Sequence, residues 1–184
     1  MPLPLGHAVI GLATHELISR NRSATKNLVL AVFVSVLANL PDIDFLIGLF
    51  LRGNGMAFHR GLTHSFLFAF FMGIVASNAW RFWSKIPRVN LTVCFLLIVS
   101  HLLADFFFTR SPVSFFWPFG VYTSTGQLGL REIITYVFCK EHKDAGIIII
   151  CSLVLLLVRM VTRPSHYGVS FLSSARSPKS QKDI

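Results

Sequence analysis

Apolar residues occupy five long runs along this chain, separated by short polar or charged segments. The runs cover residues 1–19, 27–51, 64–83, 91–108 and 144–161. Most of them approach the roughly 20 residues that a helix needs to cross a bilayer core about 30 Å thick. A backbone inside a bilayer must satisfy its hydrogen bonds internally, so each run predicts a helix. The first run is short, and the sequence leaves open whether it spans fully.

Composition supports the same class of protein. Hydrophobic residues make up 53% of the chain and charged residues 14%, whereas a soluble domain carries about 25% charged residues. The sequence therefore predicts an all-α, polytopic membrane bundle with four to five membrane-embedded helices. We expect residues 1–162 to form a single domain and the Ser-, Lys- and Arg-rich residues 163–184 to be a basic disordered tail.

The 17 Lys and Arg residues predict the orientation and the partners. With five spans, 11 of the 17 fall on one side of the membrane. That side is expected to be cytoplasmic, which places the N-terminus outside and the C-terminus inside. The net charge of +9 is spread between the apolar runs, so we expect a lipid bilayer as partner and no nucleic acid. The oligomeric state stays open.

Three aspartates stand where a membrane helix should not carry them. Asp42, Asp44 and Asp105 lie within or beside the apolar runs, and each costs about 2.5–3.5 kcal/mol at a helix centre. A bound cation would offset this cost. His101 precedes Asp105 by four residues, so the two side chains share one helix face and could bind one metal ion.

Two further histidines, His59 and His64, lie in the connection before the third run. We expect Gly61 between them to take a positive φ and let the segment fold back. The predicted orientation puts these histidines, the three aspartates and His101 in the outer half of the membrane. His7 lies near the outer end of the first run, and His15 is about 12 Å deeper. The sequence thus predicts a metal site in the outer half.

Simpler explanations exist for single residues. Asp42 follows Leu-Pro and could cap the helix after it. His101 and Asp105 could form an ordinary buried hydrogen-bonded pair, and His59 or His64 could be an interfacial histidine. His142 and His166 are expected to be solvent-exposed and outside the site.

Five motifs together resemble a known family. They are His7-x3-Gly11, Leu40-Pro41-Asp42-Ile43-Asp44, His59-Arg60-Gly61-Leu62-Thr63-His64-Ser65, His101-x3-Asp105 and Trp117-Pro118-Phe119. This order resembles the YdjM-like family, whose members are described as metal-dependent hydrolases of bacterial and archaeal inner membranes. The resemblance implies an inner-membrane location and a set of metal ligands: His7, Asp42 or Asp44, His59, His64, His101 and Asp105.

A more remote similarity is to the zinc-dependent phospholipase C and fungal single-strand nuclease group, which cleaves phosphate esters with three zinc ions. The chain has no match for that group's further His-x3-Glu helix, so we expect one or two ions. Histidine and aspartate ligands without cysteine favour Zn²⁺, with Mn²⁺ or Fe²⁺ as alternatives.

These residues predict a membrane-embedded phosphoesterase that acts on a lipid or lipid-linked phosphate through a metal-activated water. Arg60 is expected to bind a phosphate oxygen. Whichever of Asp42 and Asp44 is not a primary ligand could bridge metals or act as a base, and Asp44 is our candidate catalytic carboxylate. Two alternatives stay open: a transporter for divalent cations or protons, and a noncatalytic membrane protein whose metal only joins helices.

Overall fold

The computed structural model describes residues 4–19, 24–108, 112–123 and 145–162. Within these ranges the chain forms six α-helices. They are α1 (Pro4–Ile18), α2 (Leu28–Asn39), α3 (Ile43–Arg52), α4 (Phe66–Asn78), α5 (Leu91–Phe108) and α6 (Ala145–Thr162). The described part of the chain contains no β-strand, only one isolated bridge between Val113 and Thr123. The predicted all-α class is confirmed, while His142, His166 and the predicted tail lie outside the described residues.

The second apolar run forms two helices instead of one. α2 ends at Asn39, a 3₁₀ turn covers Leu40–Asp42, and α3 begins at Ile43. Pro41 lies in this turn, buried. Because proline cannot donate a backbone hydrogen bond, a break in the regular α-helical pattern is expected here. The break places Asp42 and Asp44 beside each other at one end of the bundle.

Helix α5 lies at the centre of the packing. It contacts α1, α2 and α4, and α1 also packs against α2 and α6. Its residues Cys94, Leu97, Ile98 and Leu102 are fully buried. Helices α1, α2, α4 and α5 run in alternating directions through the bundle, while α3 continues the span of α2. The start of α1, the α2–α3 junction, the start of α4 and the last turns of α5 therefore meet at the same end.

Two stretches among the described residues are long and apolar enough to cross a membrane: Leu28–Arg52 and Leu91–Phe108. Phe66–Arg81 and Ala145–Val158 are apolar but shorter. Helix α4 is shorter than its apolar run because Ser65 caps its start by accepting the Phe68 N–H and a 3₁₀ turn at Ala79–Arg81 follows its end at Asn78. Its 13 residues span only about 20 Å. Fewer helices therefore meet this criterion than the four to five membrane-embedded helices that the sequence predicts.

Candidate metal centre

The structure brings together all seven predicted ligands at one end of the bundle. Each buries its side chain mostly or fully, and together they form three overlapping groups of possible metal ligands. The seven are His7, Asp42, Asp44, His59, His64, His101 and Asp105. These residues meet at one end of the bundle, as the order of the helices predicts. His15, predicted to be too deep to join, is buried elsewhere on α1 and belongs to none of the three groups among the described residues.

Asp42 points toward histidines and does not cap the helix after it. Its side chain makes no capping hydrogen bond to α3, so the simple N-cap explanation is wrong. Its Oδ1 atom lies 3.4 Å from Nε2 of His101 and 3.6 Å from Nε2 of His64. The 3₁₀ turn at Leu40–Asp42 produces this direction, because it ends α2 before the carboxylate.

Asp44 organises the loop between α3 and α4. One carboxylate oxygen lies 2.9 Å from Nδ1 of His59. The other accepts the Arg60 N–H at 3.0 Å and the Thr63 hydroxyl at 2.5 Å, and it lies 3.3 Å from Nδ1 of His64. Both oxygens are thus engaged by the loop, which indicates a carboxylate that positions its neighbours.

The predicted positive φ at Gly61 is wrong. Gly61 has a φ of −86°, and the left-handed conformation belongs instead to Arg60, with a φ of 70°. The Arg60 N–H is held by Asp44, and this contact orients the backbone one residue before the glycine. Non-glycine residues with positive φ are uncommon and are found more often at functional sites.

Three donor atoms, from Asp42, His64 and His101, form a compact cage at the centre. Nε2 of His64 lies 3.4 Å from Nε2 of His101 and 3.5 Å from Oδ2 of Asp105, and Asp42 Oδ1 lies 3.4–3.6 Å from both nitrogens. Ligand atoms around a tetrahedral zinc ion with bonds of 2.0–2.1 Å are separated by about 3.3–3.4 Å. The donor set and its spacing therefore fit one divalent cation.

Outer contacts fix which histidine nitrogens face the cage. His101 Nδ1 lies 2.8 Å from the carbonyl oxygen of Ala38, and His64 Nδ1 faces Asp44. The Nε2 atom of each ring is left for the cage. Metal-binding histidines usually carry such a carbonyl or carboxylate on the second nitrogen, which orients the ring and raises its basicity. Ala38 and Asp44 have the positions expected of these outer partners.

His7 and His59 flank the cage on different sides. The His7 ring stacks on His101 with centroids 3.7 Å apart, and its Nε2 lies 3.6 Å from Asp105 Oδ1. Within the described part of the chain, neither nitrogen of His7 makes a hydrogen bond, and neither does Nε2 of His59. Buried imidazole nitrogens without hydrogen bonds are costly, so a cation or a bound ligand beside them would stabilise the site.

Arg60 adds a fixed positive charge against the cage. Its side chain is 6% exposed, and its Nε lies 3.5 Å from Oδ2 of Asp105. Burial lowers the pKa of His64, but its bonds to Asp105, Asp42 and Asp44 outweigh burial and raise this pKa to about 10. The carboxylates therefore attract positive charge to the centre, in the form of a proton, a guanidinium or a metal ion.

A cavity of about 480 Å³ lies beside the centre. Its polar wall includes Asp44, His59, Arg60 and Thr63, and its apolar wall includes Ile47, Phe58, Leu62 and Tyr122. Tyr122 reaches the cavity because the segment 112–123 packs on the start of α4, where the Phe66 N–H donates to the Phe115 carbonyl. Sequence reasoning missed Tyr122, and it missed Thr63 although this residue lies inside a motif that it singled out.

The sequence profile of one family, described as YdjM inner membrane protein, matches residues 1–166. The chain belongs to this family. The predicted resemblance to this family is therefore confirmed, and so is the prediction that the chain is an inner-membrane protein. A curated relative, the inner membrane protein YbcI of Escherichia coli strain K12, is 37% identical over 89 residues. That match covers 45% of this chain and 50% of YbcI, so the chain spans about half the length of this relative. No solved structure matches the chain.

Proposed function

We propose that this protein is a membrane-embedded, metal-dependent hydrolase, most simply a phosphoesterase that acts on a lipid or lipid-linked phosphate. The observation that carries the proposal is the cage formed by Asp42, His64 and His101, whose donor atoms have the separations expected around a metal ion. Asp105 lies beside the cage, 3.5 Å from His64. The cavity beside it supplies room for a substrate.

Zinc is the metal that we favour, with Mn²⁺ or Fe²⁺ as alternatives. The cage combines imidazole nitrogens with carboxylate oxygens, a set common to these ions. A divalent ion held there would supply Lewis acidity and a water activated near neutral pH. His7, stacked beside the cage, and the group formed by Asp44, His59 and His64 offer room for a second ion.

The residues of the cavity have separate roles in this proposal. Arg60 binds an anionic oxygen of the substrate, because a buried guanidinium gives strong charge-assisted hydrogen bonds to phosphate. Asp44 positions His59, Arg60 and His64. We therefore prefer a positioning role for Asp44 over the role of a free base that the sequence suggests. His59 presents an unsatisfied Nε2 that could accept a proton.

The apolar wall supports an amphipathic substrate. Ile47, Phe58 and Leu62 line the same cavity as Arg60. A phosphate bound by the arginine would bring an attached acyl or prenyl chain against these side chains. An inner-membrane protein meets such molecules in its bilayer, with their phosphates at the depth of the headgroups.

We further propose that the centre faces the outer half of the membrane. Among the described residues, Lys26, Arg81, Lys85 and Arg88 lie at the opposite end of the bundle, whereas the end with the centre carries three aspartates against Arg52 and Arg60. The positive-inside rule makes the first end cytoplasmic. In this orientation α2–α3 and α5 cross the bilayer. α1, α4 and α6 complete four to five embedded segments.

A structural metal is the second candidate function. Four protein ligands complete a tetrahedral zinc site, and closed sites of this kind are usually structural. Asp105 lies 3.5 Å from His64 and would close the site if it joined the three donors of the cage, which favours this alternative. Catalysis requires instead that a position be left for a water or a substrate oxygen, as three protein ligands would leave.

The test begins with the metal content of purified protein. We expect at least one equivalent of Zn²⁺, Mn²⁺ or Fe²⁺. Asp105→Asn should remove the metal and abolish hydrolysis of phospholipids and lipid phosphates. Asp44→Asn should keep metal but weaken its affinity by about 10–100-fold, as expected for an outer partner. His166→Ala serves as the control and should change neither quantity.

Cobalt substitution separates the two candidate functions. The visible spectrum of a Co²⁺-loaded, catalytic site should change when inorganic phosphate is added, because an open position binds the anion. An unchanged spectrum and no hydrolysis would favour a structural metal. Uptake of Zn²⁺ into proteoliposomes without hydrolysis would instead favour the transporter. Absence of any bound metal would refute the site itself.

A further inference from the structure

The connection between α4 and α5 carries an unusual mixture of aromatic and basic side chains. It covers residues 79–90, which we call the cationic turn. Two guanidinium groups lie over the Trp80 ring: that of Arg88 is 4.1 Å and that of Arg81 is 5.6 Å from the ring centroid. Lys85 adds a third positive charge, and the cationic turn contains no Asp or Glu.

Two further aromatic side chains of the cationic turn are exposed. Phe82 is 92% exposed and Trp83 is 60% exposed. Tryptophan combines an apolar ring with a polar N–H and is enriched in the interfacial layer of a bilayer, whereas phenylalanine is purely apolar and suits the adjoining acyl carbons. Basic and aromatic groups therefore occupy one short segment, as needed to contact a lipid headgroup and its upper acyl carbons together.

The position of the cationic turn agrees with such a contact. α4 begins beside His64, and α5 ends beyond His101 and Asp105. The turn joins the other ends of these helices, so it lies across the bundle from the metal centre. The ends of apolar helices in an inner-membrane protein lie at headgroup depth.

We propose that the cationic turn binds the phosphate headgroup of an anionic phospholipid. Arg81 and Arg88 donate to the phosphate oxygens, because guanidinium groups match phosphate with paired N–H bonds. Phe82 and Trp83 insert beside the acyl chains. This site is separate from the metal centre, and the proposal does not depend on hydrolase activity.

The test uses full-length protein, purified in detergent and stripped of lipid. Binding of phosphatidylglycerol and of phosphatidylcholine is measured by native mass spectrometry, and the melting temperature is recorded with each lipid. The wild-type protein should retain phosphatidylglycerol preferentially and melt at a higher temperature with it. Arg81→Ala with Arg88→Ala should weaken phosphatidylglycerol binding by about tenfold or more and remove the difference between the lipids.

Arg52→Ala is the matched control. The guanidinium of Arg52 lies 5.7 Å from the Phe58 ring centroid at the opposite end of the bundle. The Arg52→Ala variant therefore removes one guanidinium from a similar aromatic contact. It should leave the lipid preference unchanged. If the first double variant fails to fold, Arg81→Ala with Lys85→Ala removes two exposed charges of the cationic turn and should give the same loss.

Three outcomes would overturn the proposal. One is equal binding of the two lipids by the wild-type protein. Another is an unchanged lipid preference in a folded variant of the cationic turn. The third is an equal effect of glycerol phosphate, which would identify a site for free phosphate and not for a lipid. Loss of hydrolysis in a variant that keeps its lipid preference would concern only the metal centre.

Discussion

At the scale of single residues, the loop from His59 to His64 depends on contacts with one carboxylate. Asp44 binds the Arg60 N–H and the Thr63 hydroxyl and lies within contact distance of both histidines. The loop is thereby closed over the cage, and Arg60 is held in the left-handed conformation. The left-handed backbone of Arg60 affects stability, and the charge of its side chain affects binding. Substitutions can therefore distinguish the two contributions.

Replacement of Arg60 should separate these two contributions. Arg60→Ala and Arg60→Gly both remove the guanidinium beside Asp105, so both should weaken substrate binding or turnover by about 1.5–3 kcal/mol. Glycine also relieves the left-handed backbone, which should make Arg60→Gly more stable than Arg60→Ala by about 1–2 kcal/mol. Thermal unfolding and steady-state kinetics measure the two effects.

Arg60→Lys is the charge-conserving control and should recover only part of the activity, because an ammonium group lacks the planar fork. Equal stability of the Ala and Gly variants would contradict the assigned backbone conformation. Full activity of Arg60→Ala would exclude its proposed role in binding the substrate anion.

At the scale of elements, the approach of α1 to α2 supports the cage. A Cβ atom added at Gly11 would lie 2.5 Å from Cβ of Ala38. Ala38 holds His101 through its carbonyl oxygen, and His7 lies one turn before Gly11 on α1. The absence of a side chain at Gly11 therefore determines how closely two helices that support the centre can pack.

Gly11→Ala should loosen this contact. The added methyl group must push α1 and α2 apart, and overpacking of this kind costs about 1–3 kcal/mol of stability. We expect a lower melting temperature and a weaker metal affinity, because both His7 and the Ala38 carbonyl shift. Leu17→Ala, at an exposed position of α1, is the control. A Gly11→Ala variant with unchanged metal affinity would show that the helix separation does not affect the centre.

At the scale of the whole molecule, charge is distributed unequally between the two ends of the bundle. The cationic turn lies at one end, and Asp42, Asp44 and Asp105 lie at the other. The proposed orientation follows from this asymmetry through the positive-inside rule. Two exposed residues, Phe119 and Ser84, lie one at each end and allow a direct measurement.

Cysteine labelling should reveal the orientation. In a variant whose own cysteines are replaced, Phe119→Cys should react with a membrane-impermeant maleimide in intact spheroplasts. Ser84→Cys, in the cationic turn, should react only after the membrane is permeabilised. Both positions are exposed, so access depends on the side of the membrane. The reverse labelling pattern would move the centre to the cytoplasmic half.

The sequence by itself determined the helical class, the family and the residue types gathered at the centre. Apolar runs and a four-residue spacing are local signals, because they depend on the period of one helix. The end at which His7, Asp42, Asp44, His59, His64, His101 and Asp105 meet also follows from the order of the runs. The length of α4 did not, since the Ser65 cap at its start and the 3₁₀ turn at Ala79–Arg81 shorten that run at both ends.

Only the tertiary structure decided the role of each atom. Nε2 of His101 faces the cage because Nδ1 contacts the carbonyl of Ala38, which is 63 residues away. Asp44 binds the loop between α3 and α4, while Asp42 faces His64 and His101. The two aspartates are only two positions apart in sequence. Tyr122 joins the cavity through the packing of a distant segment on α4. Such contacts depend on the rotation and separation of packed helices, which hydrophobic periodicity does not specify.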